Sequence, residues 1–156
     1  MKPAVKVIPL FEGQTMTSAG TVFDALDTKG FDHCVIALIA GTGDAASTAV
    51  DTLRVCESDT DPTAYTDGTA VTQFVGAAAT STSAGFVLPA LSSTVQNVYQ
   101  MEIDLKGRKR YLGLNFAPEN QTVGVACVGI LMRPADGADI ATVATGTAGL
   151  RLLQRG

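Results

Sequence analysis

At 156 residues, with 46% hydrophobic and 17% charged residues, the chain has the length of one ordinary domain and can bury a core without a metal or disulfide framework. Nineteen Thr and fifteen Val against no Trp and one His make a composition of strand formers that is poor in acid–base side chains, so a structural role ranks ahead of a catalytic one. A net charge of −4 lacks the basic footprint of a general nucleic-acid binder, and no direct nucleic-acid binding is expected.

Residues 1–19 mix β-branched residues with Pro3, Pro9 and Gly13 and read as an extended N-terminal arm rather than a packed element. Their apolar stretch is broken by Pro9 and ended by Glu12, unlike the continuous core of a signal peptide. From Gly20 the pattern is that of strands. Thr21–Leu26, Asp32–Ala40, Asp51–Glu57, Thr69–Val75, Val98–Leu105, Arg110–Phe116 and Thr122–Met132 are set apart by Gly, Asp, Pro or Asn signals. This spacing predicts an all-β, antiparallel, jelly-roll-like β-sandwich of about seven to eight strands over residues 20–134.

Within that frame Tyr99, Met101, Ile103 and Leu105 alternate with Gln100, Glu102, Asp104 and Lys106, which gives one buried and one wet face. His33–Ala40 and Val123–Met132 are instead apolar on both faces, so each needs cover from the second sheet and from something else; a neighbouring subunit is the expected second cover. The ten residues of Val123–Met132 are about half of the roughly 20 that a membrane helix needs, and no membrane partner is expected. Residues 76–85, small and uncharged, read as a long surface loop. Residues 135–156 scatter Ile140, Val143, Leu150, Leu152 and Leu153 among small residues without a sustained stripe and read as a C-terminal arm or tail.

Few constellations suggest chemistry. Cys34, Cys56 and Cys127 are widely spaced within apolar or β-branched runs, which fits buried free thiols and neither a zinc site nor a redox pair. Gly41-Thr42-Gly43-Asp44-Ala45-Ala46 matches a dinucleotide fingerprint in spacing. The strand-like Val50–Glu57 follows too soon for the crossover helix such a site requires, and a hairpin loop is the simpler expectation. Glu57, Asp59, Asp61 and Asp67 gather in a turn-rich stretch with oxygen ligands for calcium, but without the glycine and terminal glutamate of an EF-hand loop; a solvated turn is preferred. His33 and Cys34 point to opposite faces of one strand and so cannot form a base and nucleophile pair, leaving a packed or interfacial histidine. No catalytic residue, metal or cofactor is expected.

Charge patterning supplies the candidate partner-binding site. Residues 12–67 hold ten acids against Lys29 and Arg54, while the remainder is mildly basic, a polarity that fits unlike edges meeting between copies as well as a merely soluble surface. Lys106, Arg108, Lys109 and Arg110 fall within five positions around Gly107. They read as the solvated turn of a hairpin and, functionally, as a positive knob for an acidic surface or phosphate.

The order of these features resembles a family of small tailed-bacteriophage virion proteins, the head decoration or cement proteins. The resemblance runs from Asp27 to Pro134. It rests on Thr28-Lys29-Gly30-Phe31-Asp32 leading into an apolar strand, on Leu53–Asp59 followed by Tyr65-Thr66-Asp67, on Tyr99–Leu105 followed by Gly107–Leu112, and on the closing strand to Met132-Arg133-Pro134. The tail beyond Pro134 and the loop at 76–85 depart from the short members of the family. The resemblance implies a β-sandwich without enzymatic activity, in subunits that are often trimers, bound over capsomer joints of the major capsid protein. The expectation is thus a homotrimeric protein of the capsid exterior, made in the host cytoplasm, with arms ordering on neighbouring copies or on the capsid. A carbohydrate-binding or adhesive β-sandwich, taking a host-surface glycan, is the alternative. Its aromatic platform is scarcely provided for by three Tyr and six Phe.

Overall fold

The structure of the protein, a computed structural model, describes residues 5–17, 20–42, 50–71, 80–81, 85–86, 96–118 and 122–134. These form β1 (Val5–Met16), β2 (Val22–Asp27), β3 (Phe31–Ala40), β4 (Val50–Ser58), β5 (Thr69–Val71), β6 (Thr80–Ser81), β7 (Gly85–Phe86), β8 (Asn97–Asp104), β9 (Tyr111–Pro118) and β10 (Val123–Pro134). A single 3₁₀ turn at Tyr65–Asp67 is the one helical element among the described residues.

The strands lie in two sheets. A front sheet has the order β1-β10-β3-β8, and a back sheet the order β2-β9-β4 with β5 and the two-residue strands β7 and β6 beyond it. Pairing is antiparallel except where β7 meets β4 at Leu53 and Gly85. From β1 to β4, and again from β8 to β10, each connection carries the chain from one sheet to the other. With this strand order the all-β sandwich is a jelly roll.

Period-two alternation assigns the faces. Cys34, Ile36, Leu38 and Ala40 of β3 are fully buried, opposed across the interior by Leu112, Leu114 and Phe116 of β9 and by Leu53 and Val55 of β4. The seven strands expected from the sequence are all present, with ends shifted by a residue or two; of Thr69–Val75 the described part is Thr69–Val71.

Two expectations are corrected. The first concerns the N-terminal arm at residues 1–19. Residues 5–16 are a strand of the sandwich, paired along its length with β10 from Val5 opposite Met132 to Met16 opposite Val123. Register shifts at Pro9/Phe11 and Phe11/Gln14 break the alternation, so consecutive Leu10 and Phe11 are both buried, at 4% and 3% exposure. That irregularity, with Pro9 on an edge strand where a missing N–H is tolerated, is why the segment does not look like a strand in the sequence.

The second concerns the loops at Gly41–Ala46 and Lys106–Arg110. Neither joins a hairpin, because β3 and β4, like β8 and β9, belong to different sheets. At the latter the Arg108 N–H donates to the Leu105 carbonyl at 3.0 Å and Gly107 has φ +77°, the left-handed position of a type II turn, after which the chain crosses to the back sheet. Residues 43–49 and the expected arm at 135–156 lie outside the described residues; of the expected loop at 76–85, only Thr80, Ser81 and Gly85 lie within them, in β6 and β7.

Candidate interaction surfaces

At one end of the sandwich two crossovers bind each other. Thr28, leaving β2, donates both its backbone N–H (2.9 Å) and its hydroxyl (2.6 Å) to the carbonyl of Arg110, which enters β9. This sets the basic turn against the acidic part of the chain. Arg110 forms a two-pronged pair with Asp27, Nε to Oδ1 at 3.0 Å and Nη2 to Oδ2 at 2.7 Å, and holds that carboxyl below its usual range. Arg108 reaches Glu57 at 3.3 Å, and Lys109 reaches the Thr69 hydroxyl at 3.2 Å and Asp59 at 3.8 Å. The neutralising partner that four clustered cations call for is therefore largely internal. Lys106 uses its backbone N–H on Asp104 and directs an exposed ammonium outward, without a side-chain partner among the described residues.

The outer face of the back sheet is roofed by residues 59–68. The Arg54 guanidinium lies 3.9 Å from the Tyr65 ring centroid and donates through Nε to Asn115 Oδ1 at 2.8 Å. The buried Asn115 donates in turn to Thr21 Oγ1 (2.7 Å) and to the Val22 carbonyl (2.9 Å). Beside them the Phe23 ring closes over Gly113, where a Cβ would come within 2.5 Å of the ring and 2.9 Å of Cys56 Sγ. The acidic stretch thus has a structural task. Asp67 Oδ2 accepts from Thr63 N (2.9 Å), Thr63 Oγ1 (3.0 Å) and Ala64 N (2.9 Å), bonds that depress its pKa and shape the 3₁₀ turn. Glu57 and Asp59 face the basic turn, and no group of three or more possible metal ligands occurs among the described residues.

All three cysteines are free and buried. Cys34 and Cys127 face the interior, where burial pushes their thiols up to about 12; Cys56 lies on the roofed side, its pKa also raised by burial.

The outer face of the front sheet is different, because no described element covers it. Register fixes its rows across β8, β3 and β10: Asp104, His33 and Met132; then Glu102, Val35 and Ile130; then Gln100, Ala37 and Val128; then Val98, Ile39 and Ala126. Val5 and Val7 extend the first two rows onto β1. The three exposed large hydrophobics of the described chain, Val7 (57%), Ile39 (43%) and Val98 (65%), all lie on this face. Its apolar part spans β1, β10 and β3 and ends at Val98, since β8 otherwise presents the exposed Gln100, Glu102 and Asp104. His33 is half-buried here, between Asp104 and Met132 in register. The strands behind this face, β3 and β10, are the two whose both-sided apolar pattern asked for a second cover, and they lie side by side at its centre. The contributions of Val5, Val7 and Val98 are not found by that criterion. For Val5 and Val7 the signal, apolar residues at alternate positions in Val5-Lys6-Val7, is masked by the neighbouring prolines, whereas Val98 stands on the face that the alternation of β8 assigns to water.

The three tyrosines, all among the described residues, are half-buried, and no described helix is long and apolar enough to cross a membrane. No family model and no curated protein matches the chain. Among solved structures, dimeric latent PorU from Porphyromonas gingivalis is similar at 8% identity and a TM-score of 0.43, over 86% of this chain and 13% of that one. Such a likeness carries no argument.

Proposed function

We propose that the protein is a non-enzymatic virion component, a decoration or cement protein that binds as a homotrimer over capsomer joints of the major capsid protein on the outside of a tailed-phage head. The observation that carries this is the outer face of the front sheet, apolar across β1, β10 and β3 and uncovered by any described element, with Val7, Ile39 and Val98 exposed on it. A single small sandwich does not shield such a face, and symmetric association or docking on a larger surface does. The motif order from Asp27 to Pro134 that resembles decoration proteins supplies the virion context. The jelly roll recurs in viral capsid and lectin domains alike, so the fold is compatible with this role without selecting it. Lys106 at the rim adds a cation for an acidic neighbour.

Capsid binding tests the proposal. Ile39→Gln with Val98→Glu changes two exposed positions without setting like charges opposite each other, each expected to alter stability by only about 0.5 kcal/mol. The variant is expected to keep its circular dichroism, sediment as a smaller species than wild type and wash off capsids that retain the wild-type protein. Retention equal to wild type excludes this face as the docking surface. A protein missing from the mass spectrum of purified virions excludes the role itself.

A further inference from the structure

The chain has a single histidine, and it stands on the uncovered face of the front sheet. Along an antiparallel pair such as β3 and β8, hydrogen-bonded and non-hydrogen-bonded positions alternate. The Leu105 N–H donates to the Asp32 carbonyl at 2.9 Å, which makes Asp32 and Leu105 a hydrogen-bonded pair and His33 and Asp104 a non-hydrogen-bonded one. Residues paired in the second way have Cα atoms only about 4.5 Å apart and side chains close together on one face. Glu102, the next outward position along β8, is the diagonal neighbour of His33.

The charges that face His33 are of one sign. β8 contributes Asp104 and Glu102, both exposed. β10 contributes Met132 and Ile130, β1 contributes Val5 and Val7, and β3 itself contributes Val35, none of which titrates. Lys6 and Asp32 alternate to the opposite side of their strands. Lys106 lies past the end of β8, with its backbone N–H on Asp104 Oδ1 at 3.0 Å. His33 has no hydrogen-bond or ionic partner among the described residues.

A second copy laid over this end of the face withdraws water from all three groups. With the imidazole neutral, two carboxylates are left under cover without a cation, which is costly. With the imidazole protonated, a positive charge stands directly opposite Asp104 and diagonal to Glu102, and the attraction strengthens as water leaves. Histidine is the side chain that ordinarily changes charge between about pH 5 and 8, while carboxylates as a class remain ionised there.

We infer that His33, Asp104 and Glu102 form a proton-dependent lock on the front face: association of copies through this face takes up a proton at His33 and tightens as pH falls from about 8 to about 5.5. This regulation rests on the reading that copies meet on this face, and adds the condition under which they do.

Sedimentation velocity of the full-length protein over a dilution series, at one ionic strength and at about pH 5.5 and about pH 8, tests it, with circular dichroism confirming the same fold at both. The concentration at which half of the wild-type protein is assembled is expected to be about tenfold lower at the acidic pH, within the range typical of coupled equilibria. His33→Gln, polar but without a titrating group, is expected to assemble equally at both. Glu102→Gln with Asp104→Asn, which keeps an acceptor for the Lys106 N–H, is expected to lose the acid preference because the attraction is gone. Wild-type assembly equal at the two pH values overturns the inference, as does an acid preference that survives His33→Gln; both results leave association through the face standing. Wild-type protein that is monomeric at both pH values removes that association itself, and the lock with it.

Discussion

Gly113 sits where two side chains meet over the back sheet. A methyl group there would press on the Phe23 ring from one side and on Cys56 Sγ from the other. Gly113→Ala is expected to lower stability by about 1–3 kcal/mol, measured by denaturant unfolding, with part of the loss recovered when Phe23→Leu is added because the two sites share one contact. The Asp27–Arg110 pair makes a prediction in pH. Asp27 titrates below its unfolded value, about 3.9, because Arg110 hydrogen-bonds its carboxylate. Its stabilising contribution is thus complete above the unfolded value and lost as pH falls through the folded one. Arg110→Ser should melt below wild type at neutral pH and converge with it in acid; a gap constant with pH would remove the pair as its cause. The same geometry bears on the basic turn as a docking site. Arg108 and Arg110 brace the fold, so Lys106→Ser is the substitution that removes a positive charge without breaking an internal pair.

Among the elements, β2 is the strand whose sequence argues with its position. Asp24 shares the register face of Val22 and Leu26 yet stays exposed at the sheet edge, and partial desolvation there raises its carboxyl pKa. Here the sign is opposite to Asp27: the ionised form weakens the fold above the raised folded value, and the penalty is relieved as pH falls through it. Asp24→Val should raise the melting temperature at neutral pH and at the same time promote aggregation, seen by light scattering, because the edge loses the charge that deters pairing. β8 was legible because its alternation is unbroken, and β3 and β10 announced the uncovered face by being apolar on both sides. β1 was hidden by its bulges, which put Leu10 and Phe11 on the same side. Sheet membership was hidden for a different reason. A turn rich in Gly and charge looks alike whether the next strand returns to its neighbour or crosses the sandwich, and only the packing of the whole distinguishes the two. The internal pairing of Lys106–Arg110 was unreadable for the same cause, since Asp27 and Glu57 lie far away in sequence and are brought in by the crossovers.

At the scale of the whole molecule the interior is closed to reagents. Cys34 and Cys127, with thiols near 12, and Cys56 under its roof are expected to react with a thiol reagent at pH 8 only as fast as the protein opens, and to yield three sulfurs per chain in denaturant. Fast labelling of one cysteine in the native state would mean that its cover is looser than the packing indicates.

The pairing of β1 with β10, Val5 beside Met132, has a temporal consequence. A ribosome extrudes β1 first and β10 after every other described strand, so the opening segment must wait, unzipped, for its neighbour to be synthesised. Until then Leu10 and Phe11 are exposed to whatever else the cell offers. Maturation is accordingly a late, all-at-once event, slow for the chain's size because its decisive contacts span the greatest distance in sequence. Refolding in milliseconds to seconds, with β1 and β10 acquiring protection together in pulse labelling, is the expected signature, and a nascent chain stalled before Val123 should remain protease-sensitive throughout.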